Sequence, residues 1–199
     1  MSVHIILASG SSIRTQMLTQ AAVPHTVQVA RVDEEMITAS LVAEGAPPRD
    51  IADALAEMKA AKVSEKNPGA LVIGCDQVLE HRGTLLGKPQ TPDHAIKQLK
   101  SLRGDRHTLL SAAVIYEAGK PLWRHVGVVR LRMRDASDAY ITSYVQRNWE
   151  SIQHAVGGYK LEEEGVRLFS RIEGDYFNVL GMPLLEILSY LTLRGDIDQ

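Results

Sequence analysis

The chain has 199 residues, 45% of them hydrophobic, and its 22 basic and 24 acidic side chains leave a formal net charge of −2. That length and apolar content suffice for one domain with a sizeable core, and charges of both signs scattered along the chain exclude a polybasic nucleic-acid binder and an acidic disordered tail. Cys75 is the only cysteine and cannot form an internal disulfide; no basic segment leads into a secretory apolar run, and no stretch approaches the ~20 residues that span a bilayer. A cytoplasmic protein acting on a small ligand is therefore expected, with a homodimer left open.

The first element, residues 3–8, is a short apolar run that stops at Ser9, Gly10, Ser11 and Ser12, after which Ile13, Met17, Leu18 and Ala21 keep helical spacing. This reads as strand, tight turn and helix. A serine at that place can cap the helix, and the free N–H groups and positive helix end there can also seat an anion; residue type alone does not choose between the two. Arg14 adds a positive charge one turn in. Residues 26–30 give a weak second strand, followed by the acidic trio Asp33, Glu34 and Glu35, which reads as a solvated loop. Pro47 and Pro48 open a helix that runs to about residue 66, with Ile51, Leu55, Met58 and Ala61 on one face and Lys59 beside them. From pattern alone such a lysine covers apolar surface and keeps its charge in water.

Residues 70–75 (ALVIGC) form a continuous apolar run expected of a buried central strand, and Asp76 follows at its C-terminal end. Open α/β sheets place ligands outside the strand ends, and the Gln77-Val78-Leu79 continuation is a poor turn, so a functional aspartate is favoured over a turn former. Arg82-Gly83 can turn a hairpin, and Gly87-Lys88-Pro89 presents a second lysine between two backbone-restricting residues. A helix begins at Thr91-Pro92. Two long strands, 107–116 and 122–133, are joined by a turn at 117–120, and the second ends with Arg130, Arg132 and Arg134 on one face. No aromatic platform is interleaved with these arginines, so a solvated face is preferred over a nucleic-acid surface. Residues 136–148 read as a helix, 155–165 as a polar loop, 166–172 as the last strand and 184–193 as the last helix.

Strands alternating with helices, plus one pair of adjacent strands, predict an α/β fold with a mixed sheet. A Walker loop, a dinucleotide fingerprint, an HExxH pair and a G-x-S-x-G elbow are all missing from the sequence. Any metal should then be a hard cation held by oxygens.

Seven motifs in fixed order, LASGSSIR, VDE at 32–34, LAEMKA at 55–60, IGCDQV at 73–78, GKP at 87–89, GGYKLEEEG at 157–165 and NVLGMPL at 178–184, resemble the Maf family nearly end to end. The resemblance implies an inosine-triphosphatase-like fold, two lobes around a long twisted mixed sheet with the active-site cleft between them. It implies hydrolysis of a nucleoside triphosphate between the α and β phosphates, with Mg²⁺ or Mn²⁺. Carried over residue by residue, it assigns phosphate binding to Ser9, Ser11, Arg14, Lys59 and Lys88, metal ligation to Glu34, and water activation, metal ligation or both to Asp76. An ordinary carboxylate is a weak base, so Asp76 would act on water made acidic by the cation.

Departures from the family pattern bear on the base. Ser12 and Ile13 replace the proline and the arginine or tryptophan that usually follow the second serine. Gln77 and Glu162 resemble the subgroup acting on 7-methylguanosine triphosphate, where thymidine and uridine triphosphate enzymes carry threonine and glutamine. A glutamate accepts hydrogen bonds from a guanine edge and repels a pyrimidine carbonyl. Ile13 offers no stacking face for a methylated, cationic purine. A pyrimidine-specific member and a nucleotide-binding module without turnover remain the alternatives.

Overall fold

The computed structural model describes residues 3–198. A seven-stranded mixed sheet forms the centre, in the order β2 (Thr26–Val27), β1 (His4–Leu7), β3 (Ala70–His81), β5 (Arg106–Glu117), β6 (Lys120–Met133) and β7 (Phe169–Glu173), with β4 (Thr84–Leu86) paired to the far half of β3. β1 lies parallel to both its neighbours, and every pairing from β3 onward is antiparallel. Helices α1 (Ser12–Gln20), α2 (Glu34–Ala43), α3 (Pro48–Ser64), α4 (Pro92–Leu102), α5 (Asp138–Ile152), α6 (Tyr176–Val179) and α7 (Leu184–Arg194) flank it. This is the mixed α/β architecture expected from the sequence.

Three apolar clusters occupy the sheet faces. In the first lobe, α3 covers one face through Ile51, Leu55 and Ala60, while Leu18 of α1 and Ile187 of α7 cover the other. In the second lobe, Leu99 and Leu102 of α4 and Tyr144 of α5 pack on Leu79, Leu109 and Leu131. Both two-residue turns adopt left-handed backbone, Arg82-Gly83 at φ 52° and 80° and Ala118-Gly119 at φ 49° and 73°, as tight antiparallel hairpins require.

The structure corrects several sequence expectations. The acidic trio is not a loop: the Asp33 carboxylate accepts the Met36 N–H at 3.0 Å, and Glu34 and Glu35 form the first turn of α2. Carboxylates favour that end of a helix. α2 escapes the periodicity search because it buries none of its residues fully. β3 does not end at Cys75, because β5 continues to pair with it from Asp76↔Ala112 to Glu80↔Thr108. Asp76 therefore sits mid-strand. β2 stops at Val27, α5 extends to Ile152, and a 3₁₀ segment, Glu164–Leu168, delays the last strand to Phe169.

One close approach fixes the position of α3. A Cβ on Gly74 would lie 2.2 Å from the Ala56 carbonyl oxygen and 2.7 Å from the Ala60 nitrogen, so only glycine lets the helix backbone lie against β3. Gly74→Ala is expected to destabilise by about 1–3 kcal/mol through overpacking, read as a lower unfolding midpoint in urea. An unchanged midpoint would mean that α3 can shift without cost.

Candidate active site

The site begins where β1 stops. Ser9 is buried, and its hydroxyl oxygen accepts the Ser11 N–H at 3.3 Å and Arg14 Nη1 at 3.2 Å. Ser11 occupies the N-cap position of α1 yet makes no side-chain capping bond. Among the described residues nothing accepts the N–H groups of Ser12, Ile13 and Arg14, so the helix end is left to an incoming acceptor.

Arg14 is held rather than free. Its Nη1 donates to the Cys75 carbonyl at 2.9 Å and its Nε to the Gly181 carbonyl at 2.8 Å. Gly181 has φ 97°, and a Cβ there would stand 3.1 Å from Arg14 Nη2. The guanidinium thus joins α1, the middle of β3 and the loop before α7, while its charge still faces the cleft.

Strand alternation decides what lies opposite it. Gly74 and Asp76 face α3, whereas Cys75 and Gln77 face the other way. Lys59, one turn along α3 from the Gly74 contact, donates to Asp76 Oδ1 at 2.6 Å and to Glu34 Oε1 at 2.8 Å. The Lys59 and Asp76 side chains are 8% and 9% exposed, which separates this pairing from an ordinary surface ion pair. Burial pushes the Asp76 carboxyl above its usual range, against the charges of Lys59 and Arg14, and nearby Glu34 adds to the rise. Burial also raises Glu34, but the Lys59 hydrogen bond and the charges of Lys59, Lys88 and Arg14 outweigh it and hold that carboxyl below its usual range. The Cys75 thiol, wholly buried, is pushed up to about 11 and stays protonated.

A cleft of about 1560 Å³ opens over these groups, and all ten residues singled out in the sequence line it. Lys88 is exposed at its edge, and Ile13 lies on the wall beside Arg14. Glu162 lies across the cleft in the 157–165 loop. Glu163 and Glu164 are occupied by Lys160 and Arg147, while among the described residues Glu162 has no ion-pair or hydrogen-bond partner. Gln77 is less available than its position next to Asp76 implied: its Nε2 points at Ser111 Oγ, the Asn178 carbonyl and the Val179 carbonyl, each at 3.0 Å. Its remaining carbonyl oxygen is an acceptor only. Sequence reasoning missed Ser111 and Asn178, which hold Gln77, and the α2 residues Thr38, Ala39 and Val42, which line one wall. No motif marks the α2 residues.

A family model described as Maf-like protein matches residues 4–193. The chain belongs to the Maf family. Among similar Maf proteins, a nucleoside triphosphate pyrophosphatase of Ruegeria pomeroyi is 69% identical over 198 residues, covering 100% of both chains. One of Roseobacter denitrificans is 70% identical over 193 residues, 97% of each chain. A protein named 7-methyl-GTP pyrophosphatase, from Brucella abortus, is 42% identical over 198 residues, again 100% of both.

The raised Asp76 carboxyl has a consequence for stability. A carboxyl held above its ordinary value of 3.8 contributes stability below that pH and loses it as pH rises through the raised value, so at pH 7 the carboxylate is a net cost. Asp76→Asn should therefore move the urea midpoint at pH 7 upward. A downward shift would show that attraction to Lys59 outweighs burial.

Proposed function

We propose that this Maf protein hydrolyses a nucleoside triphosphate between the α and β phosphates, releasing pyrophosphate and the monophosphate. The observation that carries the reading is the buried Lys59 between Glu34 and Asp76, facing an α1 N-terminus whose first amides have no acceptor among the described residues. The α1 amides and the Ser11 hydroxyl receive phosphate oxygens, and Arg14, Lys59 and Lys88 offset their charge. Phosphoryl transfer is mainly positioning and charge stabilisation, which this set supplies.

Asp76 orients the attacking water and takes its proton. Burial that raises its carboxyl makes it a better acceptor than a free aspartate, provided it is ionised at working pH. Glu34 and Asp76 are the residues that would hold a divalent cation. Among the described residues no cluster of three or more His, Cys, Asp or Glu could do so alone. A pair of carboxylate oxygen donors of this kind would suit a hard cation such as Mg²⁺ or Mn²⁺ and would not suit a closed structural zinc site. Such an ion supplies further charge stabilisation to the triphosphate.

For the base, guanine-type triphosphates, 7-methylated first, are the preferred substrates. The free Glu162 carboxylate supports this, since it accepts from the N1–H and amino group of guanine and repels a uracil or thymine carbonyl. The Brucella protein's name supports the same choice. Ile13 gives the ring an aliphatic contact in place of a stacking face.

Three measurements test this. In H₂¹⁸O the label should enter the nucleoside monophosphate, with pyrophosphate released; label in orthophosphate beside a diphosphate would refute α attack. Asp76→Asn should lower kcat at least ~10²-fold while KM changes little, and a near-normal kcat in that variant would remove Asp76 from the mechanism. Glu162→Gln should narrow or reverse the kcat/KM preference for guanine over uracil nucleotides, and an unaltered ranking would remove Glu162 as the base reader.

A further inference from the structure

His107, on β5, is 2% exposed and faces the apolar cluster of the second lobe beside its register partner Leu131. Its Nε2 is 2.8 Å from the hydroxyl of Tyr159, itself 4% exposed and without another side-chain partner among the described residues. The two rings and Phe169 form a packed trio, with Tyr159 and Phe169 edge to face at 4.8 Å. His107 Nδ1 is buried with no hydrogen-bond partner among the described residues. An orphaned ring nitrogen costs desolvation energy that a phenylalanine or leucine at the same place would not incur. Packing alone does not account for histidine here. The bond to Tyr159 does.

Tyr159 is the point at which the cleft loop is fastened to the sheet. It follows Gly157 and Gly158, both left-handed at φ 74° and 70°, and precedes Lys160, Leu161 and Glu162, which line the cleft with it. On the far side, Gly165 packs against the Lys160 backbone, where a Cβ would come within 2.3 Å of the carbonyl oxygen. Between these two fixed points only two residues, Lys160 and Leu161, separate Tyr159 from Glu162, so a shift of the tyrosine ring carries the carboxylate with it.

We propose that His107 is a positioning residue for nucleobase recognition, acting through the Tyr159 hydroxyl to hold Glu162 at the base side of the cleft. This rests on the reading of Glu162 given above. His107 touches no phosphate-binding group, so the triphosphate end of the site is independent of it.

The test compares binding of guanosine 5′-(α,β-methylene)triphosphate with binding of inorganic tripolyphosphate by calorimetry, on native protein, His107→Phe, Tyr159→Phe and His107→Gln. Both phenylalanine variants keep the ring packing and lose the hydrogen bond. They should raise the nucleotide Kd about fivefold or more, the worth of one placed hydrogen bond, and leave the tripolyphosphate Kd unchanged in His107→Phe. His107→Gln, whose amide can reach the hydroxyl, should restore most of the affinity. A purely structural role predicts equal weakening toward both ligands, following the unfolding midpoints, and that outcome overturns the proposal; so does unchanged nucleotide affinity in both phenylalanine variants. If Glu162→Gln leaves base ranking unaltered, the reading of the loop fails and this proposal fails with it. If Glu162→Gln alters the ranking while His107→Phe does not, only the proposal for His107 falls.

Discussion

The contact between Gly74 and the backbone of α3 is the constraint on which the site depends. It brings the helix close enough for Lys59 to reach the middle of β3, where the ammonium meets Asp76 and Glu34. One ammonium between two carboxylates leaves this trio with one negative charge in excess, and two of its three members, Lys59 and Asp76, are poorly hydrated. Burying ions in this way rarely stabilises a fold more than an apolar replacement would. The arrangement makes sense as a prepared site: the cost is carried by the folded protein before substrate arrives, so the carboxylate and the cation are already positioned. Arg14 and the open end of α1 set positive potential opposite it.

β3 separates the two tasks of the cleft by alternation. The Asp76 side of the strand faces α3 and carries the groups suited to phosphate chemistry. The Gln77 side faces Ser111 and the Asn178–Val179 backbone, where the amide acts as a tie between strand and late loop. Neighbouring residues in sequence therefore serve different walls, a separation that adjacency alone conceals. On the function proposed above, base recognition falls to the second lobe, in the loop that Tyr159 fastens.

Much of the fold was legible in the chain because its signals are local, as were Ser9, Ser11, Arg14, Asp76 and Lys88, whereas Glu34, Lys59 and Glu162 were legible only through the family resemblance. The abrupt stop after residue 8, the GKP turn and the apolar run into Asp76 each follow from a few neighbouring side chains. The long-range facts were not legible. Whether Lys59 covers apolar surface or enters the site depends on Gly74, fifteen residues later, accepting the helix backbone. The extension of β3 past Cys75 depends on a partner strand that begins at Arg106. α2 packs only Ile37 and Leu41 against the core and buries neither fully, so its apolar spacing is short and weak, and its Asp33 cap was visible only as one acid among three. His107 carries no motif; its meaning comes from Tyr159, 52 residues away.

Arg14 also ties together parts of the chain that are synthesised far apart in time. Its bonds span 61 residues to Cys75 and 167 residues to Gly181, and the second closes the longest loop of any side-chain hydrogen bond among the described residues. Loops of that size are slow to close and gain nothing until both ends are in place. A nascent chain can form β1, α1 and α3 while the loop before α7 is still missing, and at that stage the guanidinium has nothing to hold it on that side. On the proposed reading of Arg14, the phosphate seat is therefore complete only once the chain as far as Gly181 is in place.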